Sequence, residues 1–197
     1  MQPVQIADPQ EVELISRSIQ GDHRAWESLV AAHQEAVFRL AYLFLGDEQD
    51  AQDIAQETFT RAYLRLDQFD IRRPARPWLL AIAANLAKNR RRSITRYLGR
   101  IRLLGERLPA EQRSPVEKES ETNLAARELW KAVSKLKQAD QELIYLRYFL
   151  ELSIDETADA MQIPSGTVKS RLHRTVAKLR QIIQQDYPLL VEMMHNE

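Results

Sequence analysis

Apolar residues in the first half of the chain recur at helical spacing in four successive runs. Asp8-Pro9 opens a short helix with Val12, Ile15 and Ile19 at helical intervals, and Gly21 ends it. A long helix is predicted from about His23 to Leu45, with Trp26, Leu29, Val30, Val37, Leu40 and Ala41 on one face and Gly46-Asp47 as its break. The third covers roughly Glu48 to Leu66, and its apolar set is Ala51, Ile54, Ala55, Phe59, Ala62, Tyr63 and Leu66. A loop with two prolines follows, Asp67 to Pro77. Trp78 then starts a fourth helix that runs through Leu79, Ile82, Ala83 and Leu86 into a run of arginines.

Between about Ser93 and Ser120 the pattern weakens. Gly99, Gly105, Pro109 and Pro115 punctuate it, and the polar stretch from Pro109 to Thr122 reads as a linker, although Tyr97, Leu98, Ile101, Leu104 and Leu108 recur at helical spacing. Periodicity then returns, with Leu129, Val133 and Leu136 marking one helix and Leu143, Ile144, Leu146 and Tyr148 another. Ser153-Ile-Asp-Glu156 is a capping-box pattern, in which serine and glutamate satisfy each other's orphan backbone N–H groups. The short helix it opens ends near Met161. Gln162-Ile-Pro-Ser165 is a turn, with Ser165 placed to cap the last helix. There Val168, Leu172, Val176 and Leu179 form one stripe, while Lys169, Ser170, His173, Arg174, Ala177 and Lys178 lie mostly off it. An apolar stripe anchors the helix and leaves its polar side open, the arrangement that a helix-turn-helix needs to enter a DNA major groove. The expected fold class is all-α, with two small helical domains (8–95 and 123–190) joined by a linker (96–122).

Composition agrees. Hydrophobic residues make up 44% and aromatics 7%, with five glycines, a balance that suits a helical, soluble chain. Cysteine is absent, which excludes disulfides and thiolate metal sites. The N-terminus carries Asp8, Glu11 and Glu13 and lacks the apolar run of a signal peptide, and no stretch approaches the roughly 20 apolar residues of a membrane span. A cytoplasmic protein without membrane insertion is expected. Net charge is zero, which by itself speaks against a nucleic-acid partner, but its distribution reverses that inference. The segment from Arg72 to Arg107 is strongly basic and holds a single acid, Glu106; Lys169, Arg171, Arg174, Lys178 and Arg180 form a second cluster without one. Segregated charge creates local fields that a net value hides.

The string Ile163-Pro-Ser-Gly-Thr-Val-Lys-Ser-Arg-Leu-His-Arg174, with Leu146-Arg-Tyr-Phe149 upstream, closely resembles region 4 of bacterial sigma factors of the sigma-70 family, extracytoplasmic-function (ECF) class. Asp50-Ala-Gln-Asp-Ile-Ala-Gln-Glu-Thr-Phe59, Arg61-Ala-Tyr63, Arg76-Pro-Trp-Leu79 and Ala83-Ala-Asn-Leu-Ala87 resemble that family's region 2. The resemblance implies a promoter-specificity subunit of bacterial RNA polymerase, with no catalytic activity and no cofactor or metal. Its partners would be core polymerase (the largest-subunit clamp helices and the flap), promoter DNA and an anti-sigma factor. Region 4 would read the −35 element through Lys169, Ser170, Arg171, His173 and Arg174, whose side chains can reach guanine O6 and N7 or phosphates, with Lys178 on the same basic helix. Gly166 and Thr167 lie at the helix N-terminus, where backbone N–H groups suit a phosphate. Region 2 would capture the non-template strand of the −10 element. Asn85 and Asn89 match base-touching positions, Arg65, Phe69 and Ile82 match the adjoining surface, and the loop Asp70 to Arg76 stands where the family holds a flipped base. Lys88 to Arg92 would track phosphates, and Trp78 would support the fold. Asp50, Asp53, Gln56, Glu57 and Thr60, on the polar side of the third helix, would grip the clamp helices.

Some positions depart from the family pattern. Gln162 stands where glycine is frequent in the turn, Val176 replaces a common arginine, Ala81 and Ala84 stand where arginines are frequent, and the linker is basic near Arg100 and Arg102. Asp47-Glu-Gln-Asp50 with Asp53 lacks the glycine and spacing of a calcium loop. The alternative reading is a stand-alone helix-turn-helix regulator. Four scattered histidines, no glycine-rich phosphate loop and no nucleophile elbow argue against an enzyme.

Overall fold

The computed structural model describes residues 7–103, 124–188 and 190, with side chains described at 7–97, 128–188 and 190. The chain divides into two compact units, Met1–Pro109 and Ala110–Glu197. The described residues form helices and no strand.

The first unit contains α1 (Pro9–Ile19), α2 (His23–Leu45), α3 (Glu48–Tyr63), a 3₁₀ turn (Leu66–Gln68) and α4 (Ala75–Leu103). Each of the first three helices starts at an aspartate: Asp8 accepts the N–H of Gln10, Asp22 those of Arg24 and Ala25, and Asp47 that of Asp50. Such caps satisfy backbone donors that have no partner within the helix. Gly46 closes α2 in the left-handed region (φ 74°). Ile15, Leu29, Val37, Leu40, Ala41, Leu79, Leu80 and Ala83 fill the core.

Two expectations are corrected in this unit. α3 stops at Tyr63, and Leu66 belongs to the 3₁₀ turn. α4 starts at Ala75 and not at Trp78, because Pro77 sits in the first helical turn, where its missing N–H leaves no intrahelical bond unmade. The same helix runs past residue 95, through Gly99, and takes in the start of the segment expected as linker. One interior glycine costs a helix only about 1 kcal/mol relative to alanine. The rest of that segment, 104–122 with Gly105, Pro109 and Pro115, lies outside the described residues.

The second unit contains α5 (Leu124–Ser134), α6 (Gln138–Ile144), a π turn that continues it (Tyr145–Phe149), α7 (Ile154–Met161) and α8 (Ser165–Asp186). The buried Gln141 donates its amide to the carbonyls of Ser134 and Leu136 (2.8 and 2.9 Å), satisfying acceptors at the end of α5. Trp130, Tyr145 and Phe149 pack ring against ring, with Trp130 and Tyr145 stacked at 5.4 Å. The capping box forms as expected: Ser153 N–H donates to Glu156 (2.7 Å) and Glu156 N–H to Ser153 Oγ (3.1 Å). Gln162 closes α7 at φ 56°, ψ 42°, so the turn does place a non-glycine residue in the left-handed region. The cap of α8 falls at Pro164, with Ser165 already its first helical residue. The Pro164 carbonyl accepts the N–H groups of Thr167 and Val168 and begins the helical ladder there.

Candidate nucleic-acid and polymerase-binding surfaces

α7 and α8 are held together by Leu143, Ala158 and Val168, with Ile154, Met161, Ile163 and Leu172 packed around them. Thr175, which apolar periodicity does not mark, is also buried on this side. The opposite side leaves Gly166, Thr167, Lys169, Ser170, His173, Arg174 and Lys178 exposed. A Cβ at Gly166 would meet nothing within 4 Å, so no protein packing demands a glycine there and the helix N-terminus is open to an approaching backbone. Arg171 differs from its neighbours. It is half-buried, and its Nε lies 4.0 Å from Asp140 on α6, so it faces its own unit.

In the first unit, α4 carries a second open surface. At about 100° per residue, Trp78, Ile82, Asn85, Asn89, Arg92 and Arg96 fall on one side of the helix. Asn85, Asn89, Arg92 and Arg96 are exposed there; Ile82, Trp78 and the neighbouring Lys88 are half-buried. Phe69 stacks on Trp78 with ring centroids 4.5 Å apart, which brings the 3₁₀ turn against the start of this side. Arg65 is exposed at the head of that turn. The loop that follows is pinned. Asp70 accepts Nε and a terminal nitrogen of Arg72 at 2.8 and 2.9 Å, and this guanidinium, with the Arg72 N–H, lowers the Asp70 carboxyl to about 2. From outside the loop, the Ala7 N–H donates to the Arg72 carbonyl (3.0 Å) and the Ala75 N–H donates to Glu11 (3.0 Å). Glu11 and its partner His33 stand far from the loop in sequence and belong to no motif.

On α3, Asp53, Gln56 and Thr60 are exposed and Glu57 pairs with Arg61 at 2.6 Å. Asp50 is turned inward. It is 9% exposed and bonds Arg90 of α4 through Nε at 3.0 Å, so it ties two helices together and does not extend the open polar face. Beside Gln56 and Thr60 lies an apolar groove lined by Trp26, Val30, Phe59, Tyr63 and Leu64, with Leu64 72% and Tyr63 38% exposed. Periodicity assigns Tyr63 to the core; it lies instead at the rim, because α3 ends there. Among the described residues, no group of three His, Asp or Glu is placed to hold a metal ion, and no helix is long and apolar enough to cross a membrane.

A basic helix-turn-helix in one unit, and an asparagine-arginine line beside stacked aromatics in the other, define a protein of DNA transactions. Residues 29–97 match the profile of sigma-70 region 2, and residues 126–179 that of sigma-70 region 4. The chain is 33% identical over 168 residues to the ECF RNA polymerase sigma factor SigW of Bacillus subtilis, covering 81% of this chain and 89% of SigW. It is 32% identical over 183 residues to the RNA polymerase sigma factor NccH of Alcaligenes xylosoxydans xylosoxydans, covering 91% and 98%. The fold matches the solved structure of CnrH in complex with the cytosolic domain of CnrY, with a TM-score of 0.68 and 26% identity over 90% of this chain and 99% of CnrH. The chain belongs to the ECF class of the sigma-70 family, whose members direct promoter-specific transcription and catalyse no reaction themselves.

Proposed function

We propose that this sigma factor divides promoter recognition between two surfaces: α8 reads the −35 element, and the exposed side of α4 captures the melted non-template strand of the −10 element. The observation that carries this reading is the line from the Phe69–Trp78 stack through Asn85 and Asn89 to Arg92 and Arg96. Aromatic rings beside hydrogen-bonding amides and a cationic track suit a single strand with splayed bases. Core polymerase engages Asp53, Gln56, Glu57 and Thr60 with the adjoining groove, since an exposed apolar patch rimmed by polar residues is the usual form of a protein-binding site. Asp50 supports that face from within. The protein acts in the cytoplasm, where polymerase and promoter meet.

Transcription in vitro tests the proposal: core polymerase plus this protein should initiate at a cognate promoter, and failure to bind core overturns it. Tight specific duplex binding by the protein alone, unchanged by core, would instead favour the stand-alone regulator. An anti-sigma factor is a further proposed partner, supported by the second protein on CnrH. Recovery of core subunits alone under every stress tried would count against it.

A further inference from the structure

α1 precedes the segment that matches region 2, and the reading above gives it no task. Most of it packs along α2, but two of its hydrogen bonds, from Glu11 and from the preceding Ala7, reach the loop that leads into α4. Glu11 spans two elements: Oε2 accepts the N–H of Ala75, the first residue of α4, at 3.0 Å, and Oε1 lies 2.9 Å from Nε2 of His33 on α2. Both side chains are mostly covered, at 16% and 12% exposure. Burial pushes the Glu11 carboxyl up, but the His33 hydrogen bond, the Ala75 N–H and the charge of His33 outweigh it and leave the group below its ordinary range. Four residues before Glu11, the Ala7 N–H donates to the Arg72 carbonyl at 3.0 Å. The loop from Asp70 to Pro74 is thus fastened at Arg72 and again where it enters α4, both times from the α1 segment.

We propose that Glu11 is a positioning residue for promoter opening, fixing the Asp70–Pro74 loop against α1 and α2 so that the place for an extruded −10 base has a set shape before DNA arrives. The inference rests on the proposed assignment of α4 to −10 capture and on the family resemblance, which places a flipped base at this loop. Its physical content is preorganisation. A loop already ordered by Glu11 and Ala7 loses little further freedom when a base enters, whereas an unfastened loop must be ordered at that moment, at the expense of affinity and of discrimination.

The test uses holoenzyme and single-stranded oligonucleotides carrying each base at every position of the mapped −10 element. Glu11→Ala should weaken the cognate strand roughly tenfold, about the effect of one charge-assisted hydrogen bond. It should also flatten base preference at one position while leaving core binding, −35 duplex binding and preference elsewhere intact. Glu11→Asp, too short to reach both partners, should shift preference the same way and carries the test if the alanine variant fails to fold. Glu11→Gln keeps an acceptor for the Ala75 N–H and should retain most of the preference. Unchanged preference in the alanine and aspartate variants overturns the proposal, as does a uniform loss at all positions that follows a lowered melting temperature. A wild-type holoenzyme without base preference at any position overturns the −10 assignment itself, a different result from a wild-type preference that Glu11 does not influence.

Discussion

Asp50 and Arg90 are joined across α3 and α4, with Arg90 Nε 3.0 Å from a carboxylate that is almost wholly covered. The bond raises the Arg90 pKa further above its ordinary value, chiefly through the hydrogen bond to Asp50 and then through its charge. It fastens α3, which carries the proposed polymerase face, to α4, which carries Asn85 and Asn89.

Asp50→Ala should therefore act on stability, lowering the unfolding free energy by about 1 kcal/mol, with core affinity little changed. Asp53→Ala, at an exposed position, should do the reverse: its stability stays within about 0.5 kcal/mol of wild type while its affinity for core falls. Urea unfolding and a core-binding titration measure the two quantities. Equal behaviour of the two variants would show that the α3 face is wrongly drawn.

The recognition helix makes a similar distinction between neighbours. Arg174 is exposed and Arg171 leans toward Asp140. Arg174→Ala should relax discrimination at one −35 base pair by about 1–3 kcal/mol and leave core binding intact, whereas Arg171→Ala should change selectivity much less. Binding of holoenzyme to promoters with single −35 substitutions would decide between them.

Gln162 holds a left-handed backbone with an exposed side chain. Relieving the Cβ contact stabilises by about 1–2 kcal/mol, and the added freedom of an unfolded glycine offsets part of that. Gln162→Gly should raise stability by roughly 0.5–1 kcal/mol, read as a higher melting temperature with unaltered −35 binding. A lower one would mean that the glutamine side chain makes a stabilising contact in solution.

Asp70 offers a direct check on the loop. Its folded value of about 2 lies below the ordinary carboxylate value, near 3.9. Whatever the pair with Arg72 adds to stability is therefore present above that ordinary value and is lost as pH falls toward about 2. Both side chains are exposed, so the contribution is small. Carboxyl-carbon NMR should find the Asp70 midpoint depressed, and Arg72→Ala should raise it only part of the way toward the ordinary value, because the backbone N–H of residue 72 and the charge of Arg73 remain. An ordinary midpoint in the wild type would dissolve the pair.

Where a helix is bounded by punctuation, the sequence is a reliable guide. α2 begins and ends at His23 and Leu45 as expected, because Asp22 caps it and Gly46 alone accepts the closing conformation at no cost. The capping box was legible for the same local reason, whereas the left-handed Gln162 was signalled only by the glycine frequent at that place in the family. Tertiary facts were not. The spacing of α3 puts Asp50 at the flank of the apolar face and Asp53 opposite it, but nothing local foretells that Arg90, 40 residues away, pairs with Asp50. Thr175 looks polar until its side of α8 is packed. Glu11 is one acid among several in the N-terminal segment, and its meaning comes from the chain returning to Ala75.

α4 has one more consequence, which concerns spacing. Arg96 follows Asn85 by eleven positions along an unbroken helix, about 16 Å at 1.5 Å per residue and close to three whole turns, so both side chains leave the helix in nearly the same direction. Two DNA contacts carried on a flexible loop could slide relative to each other to suit the strand they hold. If Asn85 and Arg96 both touch the strand, as proposed above, one rod holds the two contacts at a fixed separation that the strand must match.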